Sequence, residues 1–90
     1  MAPVNASGVP LTDEQVQRIA RIRELGQLLH AEITAIGQSN HDAMPPMYCA
    51  ETADKVAALD RSNGYLFEAR RRLQEGLMWL NKAVANPAEF

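Results

Sequence analysis

The sequence predicts an all-α protein: an antiparallel helical hairpin with a short connecting helix, assembled into a symmetric homo-oligomer. Two long segments repeat apolar or small residues at alternating spacings of three and four, the pattern of a heptad seam. A polar, proline-containing stretch separates these segments. Of the 90 residues, 47% are hydrophobic, which is more apolar surface than one hairpin can cover by itself.

The first long helix is predicted over residues 12–37, in a single helical-hairpin domain that spans residues 11–90. Thr12 and Gln15 have the spacing of a capping box, and Asp13 and Glu14 suit the positive end of the helix dipole. The preceding residues 1–10 are small and proline-punctuated, and we expect a flexible arm. The predicted seam of the helix consists of Ile19, Ile22, Gly26, Leu29, Ile33 and Ile36.

The connection is predicted as a loop over residues 38–48, because Pro45 and Pro46 disfavour helix there. Residues 50–61 have the composition of a short helix, and Ser62, Asn63 and Gly64 offer a break before the next element. A second long helix should then extend over about residues 63–86. Its predicted seam consists of Leu66, Ala69, Leu73, Gly76, Leu80 and Ala83.

Each predicted seam contains one glycine, although a glycine inside a helix costs about 1 kcal/mol relative to alanine. Antiparallel pairing of two helices of matching length places Gly26 opposite Gly76, which predicts a close approach of the helices at that height. The alternative is that each glycine is a tolerated helix defect. Apolar residues beside or outside the seams predict an exposed patch that oligomerisation would cover: Leu25, Leu28, Leu77, Met78, Trp79 and Val84.

Composition argues against several functional classes. A net charge of −2 disfavours binding to DNA or RNA polymers. The single Cys49 cannot form an internal disulfide and suits a reducing compartment. The first ten residues lack the features of a signal peptide, and no apolar run is long enough to span a membrane. No pattern typical of a metal site, cofactor site or catalytic nucleophile is present, so we expect an intracellular protein that is not an enzyme.

Arginines are the most informative polar residues. Arg23 and Arg70 each flank a predicted seam, where a partner subunit would meet the hairpin. Arginine suits a phosphate group because its planar guanidinium donates paired hydrogen bonds and keeps its charge, and Tyr65 or Trp79 could stack on a base. The alternatives are a solvated arginine surface with glutamate partners, and a nucleic-acid contact through the run Arg70, Arg71 and Arg72, which the overall acidity disfavours.

Two stretches resemble a known family. LTDEQVQRIARIRELG follows L-[ST]-x-x-[EQ]-[IV] through I-[KR]-x-L-G, and ARRRLQEGLMWLNKAVANPAEF follows A-R-x-x-L-Q-x-G-x-M-x-x-x-[KR]-A-[VI]-A-x-P. Together these patterns, which cover about 40 of the 90 residues, resemble the helical-hairpin sponges of bacteriophages. These anti-CBASS and anti-Thoeris proteins sequester the cyclic nucleotide signals of bacterial immunity. In its short length, the chain resembles the anti-CBASS proteins more than the anti-Thoeris proteins.

The resemblance implies a homohexamer built from dimers, in the cytoplasm of the infected bacterial host. It implies binding of cyclic dinucleotides such as cGAMP, and in some members cyclic trinucleotides, without cleavage. Arg23 matches the phosphate-contacting basic position, and Arg70 matches the arginine of the second pattern. Gly8 stands where the family often has a ligand-contacting tyrosine, which leaves Tyr65, Tyr48 or Trp79 to supply stacking. The alternatives are a sponge for cyclic ADP-ribose-type signals and a purely structural helical oligomer.

Overall fold

The computed structural model describes residues 8 and 10–85, and it consists of two α-helices. Helix α1 extends over Asp13–Ala43 and helix α2 over Ala53–Ala85. The all-α prediction is therefore confirmed. Apart from residues 8 and 10, the arm predicted over residues 1–10 lies outside the described residues.

The chain divides into two compact units, each with a segment of both helices. The terminal unit comprises Met1–Leu28 and Leu73–Phe90, and the loop unit comprises Leu29–Arg72. In the terminal unit, Gln15 bonds to Val84, whereas in the loop unit Asn40 bonds to Ser62. In the terminal unit the first residues of α1 thus meet the last residues of α2, and in the loop unit the last residues of α1 meet early residues of α2. The helices therefore pack antiparallel within each unit, as in a helical hairpin. The oligomer stays a prediction.

Helix α1 begins with the predicted capping box, which is confirmed. The Thr12 backbone N–H donates to Gln15 Oε1 at 2.8 Å, and the Gln15 N–H donates back to Thr12 Oγ1 at 3.1 Å. The first helical hydrogen bond joins the Val16 N–H to the Thr12 carbonyl at 3.0 Å. Two of the N–H groups that a helix start leaves without partners are satisfied in this way.

The helix boundaries differ from the prediction in two places. Helix α1 continues past Gly37 to Ala43 and stops just before the proline pair, with a Gln38–Asp42 side-chain hydrogen bond of 2.9 Å supporting its last turns. Helix α2 is continuous from Ala53, so the predicted break at residues 62–64 and the separate connecting helix are wrong. Asn40 bonds to Ser62 and Asn63, and this tertiary contact stabilises residues that are weak helix formers.

The packing of Gly26 also differs from the predicted glycine pair. A side-chain carbon added at Gly26 would lie 2.7 Å from Leu77 Cδ1, whereas one added at Gly76 would meet nothing within 4 Å. Leu77, which was predicted outside the seam, therefore covers Gly26. Gly76 lies beside the contact, so the predicted Gly26–Gly76 pairing is wrong. The close approach joins a glycine to a leucine.

Each unit buries little of its apolar surface. Gly26 is the only buried residue in the described part of the chain, and Leu29 and Leu80, which were predicted in the seams, remain about half exposed. Two helices cover one contact strip, and the other apolar side chains face outwards. Within residues 8 and 10–85, neither helix has an apolar stretch that could cross a membrane.

Candidate functional site

A shallow groove of about 300 Å³ lies in the loop unit, between α1 and α2. Its floor is formed by the partly buried residues Ile33, Gly37 and Leu66 and is therefore apolar. Gly37 has no side chain that would fill the groove. A carbon added there would lie 3.8 Å from Leu66 Cδ1, an ordinary contact distance. Polar and aromatic side chains form the exposed edges. The lining residues are Ile33, Thr34, Gly37, Asn63, Leu66, Phe67 and Arg70.

Arg70 supplies the positive charge of the groove. It is exposed, and its guanidinium has no hydrogen-bond or ion-pair partner among the residues that the structure describes. Its neighbours differ: Arg71 lies 2.9 Å from Glu68 Oε2, and Arg72 lies 3.7 Å from the same oxygen. Arg70 is therefore available for an anionic ligand, and a guanidinium fits the oxygens of a phosphate group.

Asn63 supplies a side-chain amide whose orientation is fixed by a hydrogen bond from Asn40 of α1. Asn40 Nδ2 donates one hydrogen bond to Ser62 Oγ at 2.9 Å and another to Asn63 Oδ1 at 3.0 Å. The Asn63 oxygen is thus engaged, while its Nδ2 has no partner within the described chain. Asn63 precedes Arg70 by two helical turns on α2, about 10 Å at 1.5 Å per residue. The amide and the guanidinium therefore stand at two positions along one edge of the groove.

Phe67 and Thr34 complete the exposed edges. The Phe67 ring is 66% exposed and offers an aromatic face on which a planar ligand can stack. The Thr34 hydroxyl donates to the His30 carbonyl at 3.1 Å, so its oxygen remains able to accept a hydrogen bond. A cation, an amide and an aromatic ring over an apolar floor suit a phosphorylated ligand that carries a planar ring.

Of the predicted site residues in the loop unit, only Arg70 lines this groove. Tyr48 and Tyr65 are each 73% exposed and lie outside the lining. The predicted alternative of a solvated surface with glutamate partners describes Arg71 and Arg72, because both pair with Glu68. These ion pairs are exposed and contribute little to stability.

The remaining predicted residues, Arg23 and Trp79, belong to the terminal unit. Arg23 is exposed and has no partner among the described residues. Trp79 is 49% exposed, and Lys82 Nζ lies 5.2 Å from its ring centroid, a cation–π contact that occupies one face of the indole. Gly8, the departure from the family pattern, has a positive φ of 79°, which a tyrosine would seldom adopt.

A second groove in the terminal unit, of about 250 Å³, lies along one face of α1. It is lined by Glu14, Gln17, Arg18 and Arg21. Glu14 Oε1 already accepts from Arg18 at 2.9 Å, which leaves Arg21 as the one lining cation without an ion-pair partner among the described residues. This groove offers no aromatic surface and is a weaker candidate than the groove of the loop unit.

The sequence prediction missed Asn63, Phe67 and Thr34 as groove residues. Asn63 was assigned to a helix break, so its spacing from Arg70 had no structural meaning. On a continuous α2, Asn63, Phe67 and Arg70 recur at intervals of four and three, the spacing of side chains on one helical face. This spacing was the signal that could have identified the edge formed by Asn63, Phe67 and Arg70, provided that the segment was taken as one continuous helix.

One carboxyl group in the connection between the helices has a shifted pKa. The pKa of the Glu51 carboxyl lies below its ordinary value, first because of a hydrogen bond from the Cys49 side chain and second because of its own backbone N–H. Glu51 lies in the connection and outside the groove. Residues 8 and 10–85 contain no group of three or more histidine, cysteine, aspartate or glutamate side chains placed to hold a metal ion.

No protein-family model, curated protein or solved structure matches this chain. The features that bear on function are the groove of the loop unit, the arginines without a partner among the described residues and the motifs of the two helices. The groove is the strongest of these, because it joins four different chemical groups at one place.

Proposed function

We propose that this protein is a bacteriophage anti-defence sponge, which binds cyclic oligonucleotide immune signals without cleaving them. The ligands would be cyclic dinucleotides such as cGAMP, or cyclic trinucleotides. One observation carries the proposal: Arg70, which has no partner among the described residues, shares a groove with the exposed Phe67 and the oriented Asn63 amide. A guanidinium holds a phosphate, an aromatic face holds a base, and an amide reads the edge of that base.

Sequestration fits the polar groups of the groove better than catalysis does. Thr34, Asn63 and Arg70 can hold a ligand by hydrogen bonds, whereas general acid–base catalysis most often uses histidine or carboxyl groups. A sponge requires only that binding lowers the free concentration of the signal. An intact ligand recovered from the complex is therefore part of the proposal.

We further propose that the chain acts as a homohexamer built from dimers, in the cytoplasm of the infected host. The large exposed apolar side chains of both units support self-association, and a partner subunit would close the shallow groove over its ligand. Arg23, which is exposed and has no partner within residues 8 and 10–85, would supply a second phosphate contact across a subunit interface.

The test is native mass spectrometry of the purified protein with cyclic dinucleotides, cyclic trinucleotides and cyclic ADP-ribose isomers. We expect a defined oligomer that gains intact cyclic oligonucleotide in integer steps. Arg70→Ala should lose these steps. Arg61→Ala is the matched control, because Arg61 is another exposed arginine of α2 in the loop unit and does not line the groove.

Two outcomes would contradict the proposal. A sponge for cyclic ADP-ribose-type signals would gain only those isomers. An oligomer that gains no ligand from the panel would favour the structural alternative, for which the large exposed apolar surface is the supporting observation.

A further inference from the structure

We propose that Asn40 sets the base preference of the groove, by turning the Asn63 amide so that its nitrogen is left for the ligand. The groove would then favour a base whose edge carries hydrogen-bond acceptors, as guanine does, over adenine. This inference rests on the proposed function, since it concerns the ligand of the same groove.

The orientation follows from the donors that Asn40 presents. Its Nδ2 uses both hydrogens, one on Ser62 Oγ at 2.9 Å and one on Asn63 Oδ1 at 3.0 Å. An amide nitrogen donates and does not accept, so Asn63 must place its oxygen towards Asn40. Asn40 is partly buried, which makes an unpaired alternative costly. The Asn63 Nδ2 remains as a donor, with no partner among the described residues.

A free amide nitrogen discriminates between purine edges. In the edge that carries N7, guanine presents two acceptors, N7 and O6, whereas adenine presents the N7 acceptor and the N6 amino donor. The two hydrogens of the Asn63 NH₂ group can be donated to guanine N7 and O6 together, whereas at adenine only N7 accepts and the N6 amino group places a donor beside the nitrogen. Loss of one neutral hydrogen bond corresponds to a change in affinity of about tenfold. While Asn63 meets the base edge, Arg70 lies two helical turns further along α2 for the phosphate.

Asn40→Asp tests the inference directly. An ionised aspartate only accepts, so Ser62 would turn its hydroxyl towards position 40 and Asn63 would turn its nitrogen there. The Asn63 oxygen would then be left for the ligand, and it suits the adenine amino group. By titration calorimetry with cyclic di-GMP and cyclic di-AMP, we expect the wild type to bind cyclic di-GMP about tenfold more tightly. In Asn40→Asp we expect this ratio to approach one or to invert.

Two further variants keep the test decisive. Ser39→Asp adds the same charge on the neighbouring exposed residue of α1, so it should weaken both ligands without changing their ratio. Asn63→Asp keeps an acceptor for Asn40 but removes the free NH₂ group, so the preference for guanine should also disappear. This variant replaces Asn40→Asp if circular dichroism shows that the latter does not fold.

The outcomes separate this inference from the proposed function. If the wild type binds both dinucleotides equally, or if Asn40→Asp and Asn63→Asp keep the wild-type ratio, Asn40 does not set base preference and the sponge proposal stands. If the wild type binds neither dinucleotide and no other cyclic oligonucleotide, both proposals fail together.

Discussion

The terminal unit and the loop unit use the same pair of residues to opposite effect. Each sets a glycine of α1 against a leucine of α2. At Gly26 an added carbon would lie 2.7 Å from the Leu77 side chain, whereas at Gly37 it would lie 3.8 Å from Leu66. Gly26 is buried by its leucine, while Gly37 is partly exposed and lines the groove. An added carbon would overlap its leucine at Gly26 and stand at ordinary contact distance at Gly37, and of these two glycines Gly37 is the one that lines the groove.

The polar contacts between the helices differ in the same way. In the terminal unit, Gln15 Nε2 donates to the Val84 carbonyl at 3.0 Å while its Oε1 caps α1. In the loop unit, Asn40 bonds to Ser62 and Asn63 and orients the edge of the groove. One amide completes the ends of two helices, and the other prepares a side chain for a ligand. The tight glycine–leucine contact thus lies in the terminal unit, and the candidate site lies in the loop unit.

Arg70→Ala should produce the largest effect, and it acts on the loop unit alone. Hydrogen bonds to charged groups contribute about 1.5–3 kcal/mol, so we expect ligand affinity to fall by roughly ten- to a hundredfold. Thermal stability should not change, because Arg70 has no partner among the described residues. Titration calorimetry and thermal melting check both expectations, with Arg61→Ala as the control. Loss of stability without loss of affinity would assign Arg70 a structural role.

Gly26→Ala and Gly37→Ala test the difference in helix spacing. Alanine gains about 0.5–1 kcal/mol over glycine in a helix. At position 26 the added carbon overpacks against Leu77, which typically costs about 1–3 kcal/mol, so we expect net destabilisation. At position 37 the added carbon fits, so we expect net stabilisation.

Urea denaturation at one fixed protein concentration compares the two glycine variants without interference from self-association. The opposite signs are the result that matters. If both substitutions raised the free energy of unfolding equally, Gly26 could not be packed tightly against Leu77 as the structure has it.

Gln15→Glu isolates the polar contact of the terminal unit. Glutamate preserves the capping box, but it cannot donate to the Val84 carbonyl and places a charge at the negative end of α2. We expect a loss of about 1–2 kcal/mol in the free energy of unfolding. Urea denaturation measures it, and Gln15→Ala, which removes both contacts, is the comparison. Stability equal to that of the wild type would show that the Val84 bond contributes nothing.

The smallest expected effect concerns pH and the loop unit. The folded-state pKa of Glu51 is depressed, mainly by the Cys49 side chain. Its contribution to stability is therefore present above the unfolded pKa and is lost as pH falls through the folded pKa. We expect the wild type to lose slightly more stability than Cys49→Ala between about pH 6 and pH 3. Parallel thermal melts across this range would show identical slopes if the interaction were absent.

Local signals in the sequence predicted the helix start well, while long-range packing was harder to predict. The capping box of Thr12 and Gln15 depends only on neighbouring residues. The seams were harder to predict, because a straight helix has about 3.6 residues per turn and its contact strip drifts away from the positions of a strict heptad repeat. This drift brings Gly37 into the contact strip of α1 in place of Ile36 and leaves Leu29 exposed, while Ile33 keeps its predicted place.

The candidate site shows the same limit of local reasoning. Arg70 was predicted because its charge and motif are visible in the sequence. Asn63 was not, because its helical conformation depends on Asn40, which lies 23 residues away. Ser62, Asn63 and Gly64 are weak helix formers, so only knowledge of the tertiary contact could have overridden the predicted break.

The two hydrogen bonds of the Gln15 side-chain amide have a consequence for motion at the ends of the helices. Helix ends ordinarily fray independently, each with its own opening equilibrium. Here one amide side chain caps the first turn of α1 and also binds a carbonyl of the last turn of α2, 69 residues away. Opening either end breaks the hydrogen bond between Gln15 and Val84 that the two ends share. We therefore expect the backbone amides of these two turns to exchange their hydrogens for deuterium in step, as one cooperative unit.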